Sequence, residues 1–369
     1  MKTTITFVAL AGLTAAASGI DLTHLKTVDI SAFNTSAAAP NWIGSNPSAI
    51  AWNGTDLFVG GYNSSGTPAL TAMNRVSNLG NAHSLGATSF GGISTPNSRG
   101  MTGLAVRGNS LAAGLDTGAG SGDSARLFDA TSNALTWRVG TAGADSTRRA
   151  SGGVAFDPGF NGAGPNQGVT YLAPGSGRRH LLNETTGAYV NGQNAGAIIN
   201  FSPAQTTWRD HAFDPATGDL YTRESNRVGK AVRNGDNSYS TVSGGQSVVL
   251  YSTTVASGVD NQNLAFVNSP NQGTFLIFND RSAGSSGQTF GGVIKITDLS
   301  GAVQALNFLN AFTPATGNGA YDFSYNAATN TLAVSDFANR VVYLFGVPTP
   351  GAAGVLALGG LLATRRRRA

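Results

Sequence analysis

Asp210, Asn263 and Asp322 are the residues of this chain best arranged to do chemistry, because each occupies the same place in a recurring pattern. Each stands two positions before a small residue with larger neighbours: His211-Ala212-Phe213, Leu264-Ala265-Phe266 and Phe323-Ser324-Tyr325. Residues two apart on a strand share a face. Three equivalent strands around an axis would therefore aim two carboxyls and an amide at one point. Arg209, Gln262 and Tyr321 stand one position further back. Such a group could hold a polar ligand or exchange a proton with it. The competing use is structural, with the same side chains accepting hydrogen bonds from the backbone of neighbouring strands.

The remaining candidates are sparse. His24, His83, His180 and His211 show no i, i+4 or His-x-His spacing, so they read as core or interstrand side chains and not as metal ligands. Asn234-Gly235-Asp236-Asn237 reads as a turn and not as part of a 12-residue calcium loop. The chain has no cysteine, which excludes disulfides, thiol catalysis and thiolate zinc sites. Arg148-Arg149 and Arg178-Arg179 could meet an acidic polysaccharide, although isolated basic pairs usually lie in solvent. No catalytic residue, metal ligand or cofactor is assigned.

The elements that must position these groups repeat. The aliphatic–small–aromatic or branched pattern occurs six times, at Ile50-Ala51-Trp52, Leu104-Ala105-Val106, Val154-Ala155-Phe156 and the three sites above. The small residues are spaced by 54, 50, 57, 53 and 59 positions. Each copy runs into a turn and a second β-like run, most clearly in Asp214-Pro215-Ala216-Thr217-Gly218-Asp219-Leu220-Tyr221, where Pro fixes φ early and Gly supplies a positive φ late. Asn326-Ala327-Ala328-Thr329-Asn330 repeats that turn with Asn in place of Gly. Third runs follow, such as Arg340 to Phe345, and fourth runs, such as Leu135 to Val139.

Four antiparallel strands per fifty-odd residues make one propeller blade. The expected fold is all-β, a six-bladed propeller of four-stranded antiparallel blades over residues 18–346. A helical reading fails because the apolar runs are short and cut by glycine. A pair of β-sandwiches would not produce six similar units. The sixth repeat has only three strands, and Leu25 to Phe33 is the expected donor of the fourth, closing the ring. The small-residue strand, Asp-Pro-x-Thr-Gly turn and Asp-Leu-Tyr strand resemble NHL-type and related six-bladed propellers. That resemblance implies a fold and no particular activity. A calcium-dependent lactonase on such a fold would want an inner carboxylate cluster that includes Glu, and Glu184 and Glu224 both lie away from the inner-strand starts.

The two ends predict export. Met1-Lys2-Thr3-Thr4, an apolar stretch from Ile5 to Ala17 and a small-residue site at Ala15-Ala16-Ala17 form the layout of a signal peptide over residues 1–17, with Ala15 and Ala17 at the cleavage site. Residues 347–369 contain Pro348-Thr349-Pro350, an uncharged stretch from Gly351 to Thr364, and Arg365, Arg366, Arg367 and Arg368. Fourteen helical residues rise about 21 Å, short of a hydrocarbon core of about 30 Å. The stretch is thus expected to be a short transmembrane helix that enters a membrane with help from its arginines. This order of parts resembles the PEP-CTERM sorting signal, with Thr349 in place of the usual Glu. The resemblance implies processing by an exosortase-type protease after signal peptidase, and a transient membrane anchor.

Charge excludes one class of partner. Lys2 and the four terminal arginines hold five of the 23 positive side chains, leaving the body 18 against 19 carboxylates. A near-neutral body has no footprint for a phosphate backbone, so nucleic acid is not expected. The expectation is an exported protein of the cell surface or extracellular matrix, a non-catalytic binding or structural module for a polysaccharide or surface protein. The alternative is an extracellular hydrolase or lyase acting on a polysaccharide or small ester.

Overall fold

The computed structural model describes residues 19–31, 46–62, 70–71, 73–77, 93–94, 100–115, 125–139, 153–160, 162, 167–173, 178–190, 197–198, 208–224, 227–235, 239–240, 248–252, 263–280, 290–310, 312–313 and 319–348. The signal region, Thr349 to Ala369, His83, Gln262, Asp236, Asn237 and Arg148-Arg149 lie outside them. Among the described residues no helix is long and apolar enough to cross a membrane, and the expected C-terminal helix falls beyond them.

The six small-residue segments are the innermost strands of six blades: Asn46–Trp52, Met101–Arg107, Val154–Asp157, Trp208–Phe213, Leu264–Ser269 and Ala320–Asn326. Each pairs antiparallel with the strand that follows its turn. Blades two, three and five have four strands in simple order. In blade four, both Tyr239–Ser240 and Val248–Ser252 pair with the third strand, Arg227–Arg233. Blade one has three strands in its sheet among the described residues, with Leu70–Thr71 and Ile93–Ser94 forming a separate pair.

The ring closes through the amino-terminal strand. Ile20–Asp29 pairs antiparallel with Val341–Gly346, the third strand of blade six. It begins five residues earlier than the sequence pattern suggested and ends before Phe33. The sequence reading did not anticipate Leu306–Leu309, which pairs parallel with the outer side of Ile20–Asp29 and makes blade six five-stranded. Aromatic rings reinforce this seam, where Phe312, Tyr343 and Phe345 pack around His24 and Phe308 packs against Phe345.

Hydrophobic burial lies mainly between blades. Val28, Ile30, Ile50, Trp52, Leu57, Val59, Ala333 and Leu344 join blade six to blade one, all nearly inaccessible to water. Fully burying a large aliphatic or aromatic side chain contributes about 1.5–3 kcal/mol, so this seam is a major source of cohesion without any disulfide. Trp52 also donates through its indole to Thr331 Oγ1 at 2.7 Å, and its amide donates to Ser324 Oγ at 2.9 Å.

The two faces of the ring differ. The inner strands of blades one, four and six end in compact turns whose Asn or Asp caps its own backbone. Asn53 accepts from the amides of Thr55 and Asp56, Asp214 from Ala216, and Asn326 from Thr329. Gly218 and Asn330 hold the left-handed conformations expected of them, at φ 79° and 49°. On the opposite face, the second and third strands of blade six join through Phe337 to Arg340, where Asp336 accepts from the Asn339 amide.

Candidate functional site

Asp210, Asn263 and Asp322 come to equivalent positions on neighbouring inner strands, buried at 7, 2 and 4% exposure. Completing that level of the ring are Ala49, Gly103 and Gly153. One half of the channel is therefore polar and the other has almost no side chain.

The carboxylates reach across blade junctions. Asp322 Oδ2 accepts from the Ile50 amide of blade one at 2.6 Å, and Oδ1 accepts from Phe323 at 2.8 Å. The Asp322 amide donates to Ser335 Oγ at 2.9 Å, which anchors its own backbone to the second strand. Asp210 Oδ2 accepts from the Leu264 amide of blade five at 2.9 Å. Both acceptors thus serve the residue preceding the small residue of the next blade. Asp210 Oδ1 lies against Gly153 of blade three, where any Cβ would collide with it. Gly153 sits at φ +72°, so glycine is required there twice, by backbone conformation and by space.

Burial dominates the electrostatics. It pushes the Asp322 carboxyl up to about 7, against the opposing influence of the Ile50 amide, the Asn263 side chain and the Phe323 amide. Asp210 is raised well above the usual carboxylate range, first by burial and then by the charge of Asp322, with the Leu264 and His211 amides opposing. Each of the two carboxyls therefore resists ionisation, chiefly because the closed ring keeps water from it. Asn263 faces Asp322 closely enough to ease its charge, yet its Nδ2 meets no acceptor at hydrogen-bonding geometry among the described residues.

The flanking candidates divide. Arg209 is half-buried and falls at the register shift between Trp208 and Asp210. Tyr321 is buried and stacks on Phe337 at 4.7 Å between ring centroids. His211 bonds Thr170 Oγ1 at 2.8 Å across the junction of blades three and four, and His180 stacks on Tyr171. His24 bonds Thr27 Oγ1 at 3.0 Å.

Two buried ionic groups lie outside the residues that the repeat pattern singled out. Asp157 pairs with both Arg179 and Arg233, and the two guanidinium groups lie over the Tyr239 ring. Arg179 is 4% exposed, so the basic pair at 178–179 is not simply a solvated surface feature. The second group holds Glu224 against Arg227 at 2.8 Å, while Arg223 donates to the Glu224, Arg227 and Asn279 carbonyls. Burial raises Glu224 to about 7, opposed by Arg227 and Arg223, and lowers Arg223 to about 10. Glu184 instead pairs with Arg107 on the rim. Among the described residues no three His, Asp or Glu side chains converge on a metal-sized point.

No protein-family model matches the chain, and no curated protein matches it. Solved structures do match its fold. An auxiliary nutrient binding protein from Bacteroides thetaiotaomicron aligns with a TM-score of 0.53 at 11% identity, over 82% of this chain and 69% of that one. An auxiliary nutrient binding protein from Bacteroides ovatus gives 0.52 at 13% identity, over 82% and 70%. A Bacteroides thetaiotaomicron protein provisionally described as a phosphatase gives 0.50 at 10% identity, over 82% and 71%. At these identities the likeness establishes the propeller fold alone.

Proposed function

We propose that the chain is exported to the cell surface or extracellular matrix and that its propeller is a non-catalytic binding or structural module. The observation that carries this reading is the use of the channel carboxylates as acceptors for backbone amides of the next blade. A carboxyl employed in this way holds the ring, and Asn263 keeps the spare hydrogen-bonding capacity. Binding at the channel would then centre on Asn263, with Asp210, Asp322 and Arg209 around it. The near-neutral body suits a hydroxyl-rich polysaccharide or another surface protein better than a polyanion. Two nutrient-binding proteins of the same fold are a precedent for a binding role.

Signal peptidase would remove residues 1–17. An exosortase-like enzyme would then act on Pro348-Thr349-Pro350 while the apolar segment and Arg365 to Arg368 anchor the chain. Intact mass and fractionation of the protein made in its host test this directly. A surface or medium species lacking the first 17 residues is the expected result, and a full-length cytoplasmic species overturns it.

A second reading is an extracellular hydrolase or lyase, favoured by the raised carboxyls of Asp210 and Asp322, since a proton held near neutrality suits a general acid. Asp210→Asn and Asp322→Asn separate the two. Lost turnover in a folded variant indicates an enzyme, whereas ligand retention altered only in degree indicates a binding module.

A further inference from the structure

Blade six ends in an open sheet edge. Leu306–Leu309 is its outermost strand and pairs only with Ile20–Asp29 among the described residues. Ala305 accepts from the Ile20 amide at 2.7 Å, and in a parallel ladder alternate residues turn their backbone groups to the same side. Asn307 and Leu309 therefore face Ile20–Asp29, whereas the N–H and C=O groups of Leu306 and Phe308 point away from the blade. Asn310, at φ 63°, ends the strand.

Nothing on this edge repels another strand. Sheet edges are commonly guarded by charge, proline or a cover, yet no charged residue occurs from Leu299 to Tyr321. Val303 and Leu309 are exposed at 58% and 38%, and Leu25 on the neighbouring strand at 56%. These are three of the four exposed large hydrophobic side chains among the described residues, the fourth being Leu135 on blade two. Behind the edge the strand is anchored. Leu306 and Phe308 pack on the core between blades five and six, and Asn307 Nδ2 donates to Asp21 Oδ1 at 2.9 Å.

We infer that two copies of this chain join edge to edge along Leu306–Leu309, antiparallel about a two-fold axis at Asn307. Two five-stranded blades then become one continuous sheet. In this register Leu306 and the second copy's Phe308 exchange both backbone bonds, and the symmetry repeats the exchange, so every outward group of these two residues is satisfied. Leu306 lies beside the second copy's Phe308 on the face that each blade already packs. On the other face Leu309 lies opposite Ala305, a large residue against a small one. A second copy is the fitting occupant because an uncharged edge meets itself without repulsion and offers a charged foreign strand nothing to pair with. The pairing does not involve the export signals at either end.

The chain contains no cysteine, so single cysteines can read the register. Asn307→Cys places two thiols directly opposite each other across the axis, within the Cα separation that a disulfide needs. Leu309→Cys places them further apart along the strands, by about 14 Å. Oxidation of the purified full-length variants should link Asn307→Cys into dimers about tenfold faster than Leu309→Cys. A mixture of Leu309→Cys with Ala305→Cys should link across copies about as fast as Asn307→Cys alone. In Asn307→Lys the ammonium can still pair with Asp21 of its own chain, but two like charges then stand opposite each other. Light scattering over a dilution series should show the wild-type chain dimerising and Asn307→Lys remaining monomeric with unchanged melting.

Equal linking of Asn307→Cys and Leu309→Cys, as association through either terminus would give, overturns the pairing. So does a wild-type chain that stays monomeric at every concentration, or an Asn307→Lys variant that dimerises like the wild type.

Discussion

The two halves of the inner ring solve the same packing problem differently. Blades four to six offer Asp210, Asn263 and Asp322 at a position where blades one to three offer Ala49, Gly103 and Gly153. On the polar side, carboxylates bridge to the next blade's backbone. On the bare side, backbones approach directly, and a Cβ at Gly103 would stand only 3.0 Å from the Gly153 Cα. The halves also depend on each other, since Asp210 occupies the space that Gly153 leaves empty. A sequence repeat therefore fixes a position without fixing its chemical use.

The largest way to disturb this arrangement is pH. Burial raises the folded-state carboxyls of Asp322 and Asp210 above their unfolded values, so below about pH 4 both states are protonated and the contribution is fully present. As pH rises through about 7, the folded protein must ionise buried groups and that contribution is lost. Urea denaturation should show lower stability at pH 8 than at pH 5. The double variant Asp210→Asn/Asp322→Asn should flatten the slope, leaving the smaller part that comes from Glu224, which shifts in the same direction. An unchanged slope would remove the coupled pair from the explanation.

Next in size is Gly153→Ala, which combines a left-handed backbone with a collision against Asp210. We expect a loss of about 3 kcal/mol, measured by chemical denaturation. Combining it with Asp210→Ala should be less than additive, because the second change removes the obstacle. Strict additivity would mean that the two halves do not interlock.

The smallest expected effect is that of Asn263→Ala, below about 1 kcal/mol, because its Nδ2 holds no partner among the described residues. If the polar half-ring binds a ligand, this variant should weaken retention on a candidate polysaccharide with nearly unchanged melting. A large stability loss would instead make Asn263 a structural bridge like Asp322.

Much of the frame was legible. Ala51, Ala105, Ala155, Ala212, Ala265 and Ser324 mark six inner strands because the crowded centre limits side-chain size, and a constraint applied six times leaves a period. The incomplete sixth repeat also pointed to amino-terminal closure, although the strand proved to be Ile20–Asp29. Leu306–Leu309 escaped notice because four residues carry too little alternation, and a parallel partner has no turn to announce it. The Asp157, Arg179 and Arg233 group was equally hidden, since its members are separated by 22 and 76 positions from the shared carboxylate.

What the sequence by itself determined was therefore the repeat: strand period, turn chemistry and small central residues are local properties, set by backbone sterics and recorded within a few neighbours. It also set the charge balance of the body and the order of parts at each end. Only the tertiary structure decided what the polar residues do. Whether Asp322 awaits a ligand or caps Ile50 depends on two segments 272 positions apart, and whether it ionises depends on water excluded by blades that meet only when the ring is closed.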